Sequence, residues 1–118
     1  MKKPNESQVI TALGSLSQQT RLRIVRYLVE KGESGASAGA LAKAMDAAPS
    51  RLSFHLTNLT HSGLITSRRQ SRHIIYQIDF NALGALMAYL LTDCCKGHPD
   101  IVAHCDMAGD GTGAKDCC

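Results

Sequence analysis

Five cysteines are present in this 118-residue chain, and all of them fall within its last 26 residues, "DCCKGHPDIVAHCDMAGDGTGAKDCC". Cys94 and Cys95 are adjacent, Cys105 stands alone, and Cys117 and Cys118 close the chain. Thiolates are soft donors that select soft ions over Mg²⁺ or Ca²⁺. An odd count argues against a closed set of structural disulfides. The basic start "MKKPNESQ" runs into polar residues where a secretory signal would need an apolar run. No apolar stretch is long enough to span a bilayer. The expected compartment is the cytoplasm, where thiols stay reduced. His98 and His104, in the same segment, could add nitrogen ligands for Zn²⁺ or Cd²⁺, although solvated loop histidines are the commoner case.

A cluster of thiols does nothing unless something positions it. At this length one domain is expected, and with 44% hydrophobic and 19% charged residues it is a globular one. Its charge is unevenly spread. No acidic residue lies between Asp46 and Asp79, where Arg51, Arg68, Arg69 and Arg72 add positive charge. From Asp93 onward five aspartates face two lysines. A basic middle and an acidic, thiol-rich end imply two different partners.

The pattern of apolar residues and breakers predicts the elements. A first helix runs from Gln8 to Leu16, with Val9, Leu13 and Leu16 on one face. A second starts at Thr20 as N-cap, carries Leu22, Val25, Leu28 and Val29, and stops at Gly32. "KGESGASAG" reads as a loop. Ser37 caps a short third helix through Leu41, Ala44 and Met45. Pro49 to Ser62 forms the next helix, with Pro49 in its first turn, Gly63 beyond its end, and Leu52, Leu56 and Leu59 along one face. Ser50, Arg51, Ser53, Phe54, Thr57 and Asn58 take the other side. Two helices joined this tightly are a helix-turn-helix. Ile65 to Arg68 and Ile74 to Ile78 then read as a hairpin around a cationic tip, Arg69 to His73. A last helix, Asn81 to about Thr92, carries an apolar stripe of Leu83, Leu86, Met87, Leu90 and Leu91. That stripe either packs on the first helix or, in the favoured reading, joins it in a two-fold dimer interface. The tail from Gly109 reads as flexible. The predicted fold is mainly α with a small β-hairpin, a homodimeric winged helix-turn-helix at residues 8–92 followed by a cysteine-rich tail at 93–118.

The segments "SLSQQTRLRIVRYL", "PSRLSFHLTNLTHSGLI" and "RRQSRHIIYQID" resemble the ArsR/SmtB family of winged-helix repressors, in the family's order and over about residues 8 to 92. The resemblance implies a homodimer that binds double-stranded operator DNA and leaves it when a metal or metalloid binds. Carried over to this sequence, the recognition helix contributes Ser50, Arg51, Ser53 and His55, and the wing Arg68, Arg69, Arg72 and His73. Short hydroxyls permit close approach to the major groove and arginines reach phosphates or guanine edges. His55 has a competing role as a partly buried packing residue. His61, near the helix end, reads as a helix-dipole contact.

The family's two usual inducer sites are missing from the sequence. "GALAKAM" (Gly39 to Met45) holds no cysteine, and "DFNALGALMAYLLTD" holds no histidine. The resemblance narrows to arsenic-responsive members with a vicinal cysteine pair after the last helix and a third cysteine nearby. It implies As(III), and Sb(III) by the same chemistry, as inducer on Cys94, Cys95 and Cys105, with Cys117 and Cys118 as auxiliary ligands; a site of only two strong thiolates would suit a monomethylated arsenical instead. The ten-position step from Cys95 to Cys105 is wide for this pattern, so Cys117 or Cys118 competes for the third place. Neighbouring helical residues point about 100° apart, so binding to both Cys94 and Cys95 should unwind or re-aim the last turn. No organic cofactor is expected. The rivals are a repressor responding to Zn²⁺, Cd²⁺ or thiol oxidation, a metallochaperone, and a thiol enzyme. The last is disfavoured because the cysteines follow a helix C-terminus, the wrong electrostatic end for an oxyanion.

Overall fold

The computed structural model describes residues 3–107, apart from the side chains of Cys94 and of residues 105–107. The expected flexible tail, with Cys117 and Cys118, lies outside the described residues. The elements run α1 (Glu6–Leu16), α2 (Gln19–Lys31), β1 (Ala36–Ser37), α3 (Ala38–Met45), α4 (Pro49–His61), β2 (Ile65–Gln70), β3 (His73–Ile78), α5 (Phe80–Ala88) and α6 (Pro99–Met107). A 3₁₀ turn, Gly32–Ser34, follows α2, and a π-helical turn, Tyr89–Cys94, extends α5.

Side-chain caps set where most helices begin. Asn5 and Gln8 form a reciprocal capping box at α1. Ser37 accepts from the Ala40 N–H at α3 and Asp79 from the Ala82 N–H at α5. The second helix departs from expectation: its N-cap is Gln18, whose side chain accepts from the Arg21 N–H, so Thr20 lies inside the helix.

The core is built where α2, α3 and α4 meet the sheet. Ile24, Leu28, Leu41, Leu56, Leu59, Leu64, Ile65 and Ile78 are almost wholly removed from water. α1 turns a different face inward than its leucines suggested. Val9, Ala12 and Ser15 are buried, while Ile10 and Leu13 stay exposed. On α2, Leu22 and Val29 are likewise exposed and Ile24, Val25 and Leu28 carry the packing. Buried Ser15 donates its hydroxyl to Asn58 Oδ1 at 2.7 Å, tying α1 to α4.

The wing is a three-stranded antiparallel sheet in the order β1-β3-β2, where the sequence had indicated a hairpin alone. β2 and β3 pair from Ile65↔Ile78 to Gln70↔His73 across a turn at Ser71 and Arg72, with Ser71 at φ 59°. The third strand comes from the stretch read as loop: Ala36 pairs with Tyr76 and Ser37 with Ile75. Gly35 makes this possible. At its φ of 67°, an added Cβ would overlap the Tyr76 carbonyl oxygen, so only glycine lets β1 approach β3 this closely.

Candidate nucleic-acid interface and thiol segment

α3 ends on Asp46, in the left-handed region at φ 51°, and two alanines later Pro49 opens α4 at its first position. This short connection sets α4 on its neighbours through Leu52, Leu56 and Leu59, all buried. The opposite face presents Ser50, Arg51, Ser53, Phe54 and Thr57 to solvent. Ala48 provides no side-chain cap, so the first N–H groups of α4 stand beside exposed Ser50 and Arg51. A helix end of that kind favours anionic groups such as DNA phosphates.

His55 belongs to the interior half of its expectation. Only 6% exposed, it accepts a hydrogen bond at Nδ1 from Arg21 Nε–H, at 3.1 Å. Burial, reinforced by the positive charges of Arg21 and Arg51, lowers its pKa below the usual histidine value. Its neutral ring supports α4 from behind, while the exposed side chains of the helix lie on the other face. Arg21 also lies against the exposed ring of Phe54, with its guanidinium carbon 5.7 Å from the ring centroid. The sequence had placed Phe54 on the outward face without a role and given Arg21 none. A long-range partner such as Arg21 leaves no local signal.

The wing arginines divide. Arg68 donates to Gln77 Oε1 and, at 3.2 Å, to the Ser34 carbonyl, so it fastens β2 to β3 and to the turn before β1. Arg69, Arg72 and His73 project from the tip and are exposed. The exposed polar and cationic side chains therefore lie on the outer face of α4 and at the wing tip, and Arg68 braces the wing. His61 is exposed in the last turn of α4.

At the other end of the molecule, α5 does not stay α-helical to Thr92. It widens after Ala88 into the π-helical turn Tyr89–Cys94. Leu91 in that turn is buried, and the Cys95 N–H donates to the Leu90 carbonyl at 3.0 Å. Lys96 and Gly97 then both take positive φ, 57° and 63°, and redirect the chain into α6. The segment expected as a loop is thus partly helical, with Cys105 on α6. His98 Nδ1 accepts from the Asp100 N–H at 3.1 Å, and His104 is exposed. Lys3 Nζ contacts Asp93 Oδ2 at 2.5 Å, linking the start of the chain to the residue before the thiol pair. The hydrogen bond from Lys3 holds the Asp93 carboxyl below its ordinary pKa.

Three comparisons bear on this arrangement. Residues 16–68, from the end of α1 to the middle of β2, match the family model of a helix-turn-helix domain. The HTH-type transcriptional regulator YgaV of Escherichia coli (strain K12) is 34% identical over 88 residues, covering 75% of this chain and 87% of that protein. Among solved structures, an ArsR-like transcriptional regulator from Rhodococcus sp. RHA1 is similar with a TM-score of 0.68 at 23% identity, over 88% of this chain and 95% of that one. A possible transcriptional regulator for arsenical resistance is similar with a TM-score of 0.62 at 30% identity, over 80% and 95% of the two chains. Family and fold are those of regulators rather than enzymes. The chain belongs to the family of HTH-type, DNA-binding transcriptional regulators, and its winged helix-turn-helix fold is that of ArsR-like regulators.

Proposed function

We propose that the protein is a homodimeric repressor, held on operator DNA by α4 and the wing tip and released when trivalent arsenic binds thiolates beyond α5. The observation that carries this reading is the π-helical turn leading into Cys94 and Cys95. Its i→i+5 winding sets neighbouring residues at a smaller angle than α-helical winding does, and such turns recur at functional sites. Tyr89 and Leu90 within the turn, both partly buried, pack against the core and connect the thiol-bearing segment to the body of the protein. An ion that pulls Cys94 and Cys95 together would therefore act on the helix holding them.

The donor chemistry suits arsenite, and antimonite for the same reason. Each thiol proton leaves with one arsenite hydroxyl as water while a sulfur–arsenic bond forms, so three thiols replace three hydroxyls. Cys105, on α6, is the third ligand in this reading, with Cys117 and Cys118 auxiliary. The similar protein described as a possible regulator for arsenical resistance supports the choice of effector.

Dimerisation is supported by apolar surface that the single chain leaves uncovered. Ile10 and Leu13 on α1, and Phe80 and Met87 on α5, are at least 40% exposed. α1 and α5 also border a common groove of about 300 Å³. A second copy related by a two-fold axis would cover both helices at once. Among the described residues no helix is long and apolar enough to cross a membrane, and the reduced cytoplasm suits thiolate ligands.

The test is operator binding by the reduced protein, followed by fluorescence anisotropy during parallel titrations with arsenite, Zn²⁺, Cd²⁺ and an oxidant. Release by arsenite near one equivalent per protomer is expected. The double substitution Cys94→Ser/Cys95→Ser should bind DNA normally and fail to release it. Release only by the oxidant, or only by Zn²⁺ or Cd²⁺, would keep the repressor and discard arsenic.

A further inference from the structure

Phe54 is the anomaly of the α4 surface. It is 63% exposed, at the centre of the face turned away from the core. Ser50, Ser53, Thr57 and His61 surround it along the helix, all exposed and all polar. A protein-binding patch would need contiguous apolar surface, and here one ring stands alone among hydroxyls, an imidazole and the Arg51 guanidinium.

The ring is also held. It meets His55 edge to face, with centroids 5.7 Å apart and planes at 64°. Arg21 lies over it at 5.7 Å, and the hydrogen bond from Arg21 to buried His55 fixes that guanidinium in turn. A side chain ordered before binding loses little rotamer freedom on contact. Short neighbours make Phe54 the longest apolar projection of the helix.

We propose that Phe54 is a specificity-determining residue whose ring reads the 5-methyl group of a thymine in the major groove. This rests on the reading of α4 as the groove-entering helix. The thymine methyl is the largest apolar feature the major groove offers; apart from the small C–H edges of the bases, the groups beside it donate or accept hydrogen bonds. A phenyl ring pressed on those polar edges would strip their water without replacing it, which is unfavourable. Against a methyl, it removes apolar surface from water on both sides. Arg21 is the positioning residue that keeps the ring aimed.

The experiment uses the full reduced chain and a duplex recovered from a random-sequence pool by selection with that protein. Each thymine is replaced singly by deoxyuridine, which keeps the pairing and hydrogen-bonding edge and removes only the methyl. One position in each half-site should lose about fourfold in affinity, the equivalent of one methyl group's burial. Phe54→Ala should bind the thymine duplex more weakly and be indifferent to deoxyuridine at that position, while Phe54→Leu should recover part of the discrimination. A thermal melt of each variant matching that of the unsubstituted protein separates a missing ring from a damaged fold. Wild-type indifference to every deoxyuridine, or an undiminished penalty in Phe54→Ala, would overturn the assignment while leaving α4 as the reading helix. Failure of the pool to enrich any sequence would overturn both.

Discussion

Arg21 of α2 donates from Nε to Nδ1 of His55 on α4, 34 positions along the chain, at 3.1 Å. The bond requires Nδ1 to be unprotonated, which puts the imidazole proton on Nε2 and keeps the ring neutral. α4 is thereby joined to α2 through a neutral imidazole whose pKa burial lowers below the usual histidine value.

That bond predicts acid sensitivity. Above about pH 6.5 histidine is neutral in folded and unfolded chains alike, and His55 adds no pH dependence. As pH falls through that value the unfolded chain takes up a proton that the folded chain resists, because the folded pKa is lowered. Stability then falls until the folded pKa is passed. Urea midpoints between pH 7.5 and 5, approximate limits chosen around the histidine range, should drop in the wild type and flatten in His55→Asn, which keeps an acceptor for Arg21. An equally steep drop in the variant would assign the effect elsewhere.

The wing arginines should separate in a salt titration. Each phosphate contact contributes about 0.9 to the slope of log affinity against log salt. Arg69→Ala and Arg72→Ala should each reduce that slope by about this amount for every phosphate the arginine neutralises. Arg68→Ala should leave the slope nearly unchanged and speed amide exchange around Ser34 to Ser37, since it removes the tie to Gln77 and the Ser34 carbonyl. Identical slopes for all three variants would contradict the division.

Ser15→Ala removes the hydroxyl that reaches Asn58 from a position only 3% exposed. A net cost of about 1 kcal/mol is expected for a hydrogen bond of this kind, read as a lower urea midpoint with unchanged slope. Operator affinity measured well below that midpoint should be unaffected.

Lys3 and Asp93 form an exposed pair, so Lys3→Ala should scarcely move the melting temperature. Its effect should be local: faster amide exchange from Thr92 to Lys96, around the thiol pair. The same loosening should accompany acidification of the wild type. Asp93 has a lowered folded pKa, so its contribution is present above the ordinary carboxyl value of 3.8 and is lost as pH falls through the folded one. Unchanged exchange in Lys3→Ala would remove any role for the pair in holding that segment.

Most of the architecture was legible because it is written in short-range signals. Pro49 and Gly63 bracket α4, Ser37 caps α3, and alternation around Arg69 to His73 gives the hairpin. Signals that depend on distant partners were not legible. β1 is two residues long, too short for any period, and exists because Tyr76 and Ile75 are there to pair with it. The apolar spacing of α5 reads the same whether its end winds as α or π, so the turn at Tyr89–Cys94 was hidden. Gln18 displaced Thr20 as a cap because its longer amide reaches the Arg21 N–H. Arg51, Arg69 and Arg72 stand exposed as their types suggested. His55 is drawn inward beside Arg21, and Arg68, though exposed, is engaged by Ser34 and Gln77, partners that local spacing does not reveal.

Gly35 carries a consequence for the gene as well as for the fold. Its backbone lies so close to the Tyr76 carbonyl that no Cβ fits, and its φ is one that other residues rarely adopt. Every base change that takes a glycine codon away from glycine falls in its first or second position and installs a side chain or stops translation. The codon for residue 35 should therefore drift only at its third base, held there by one carbonyl oxygen on a neighbouring strand.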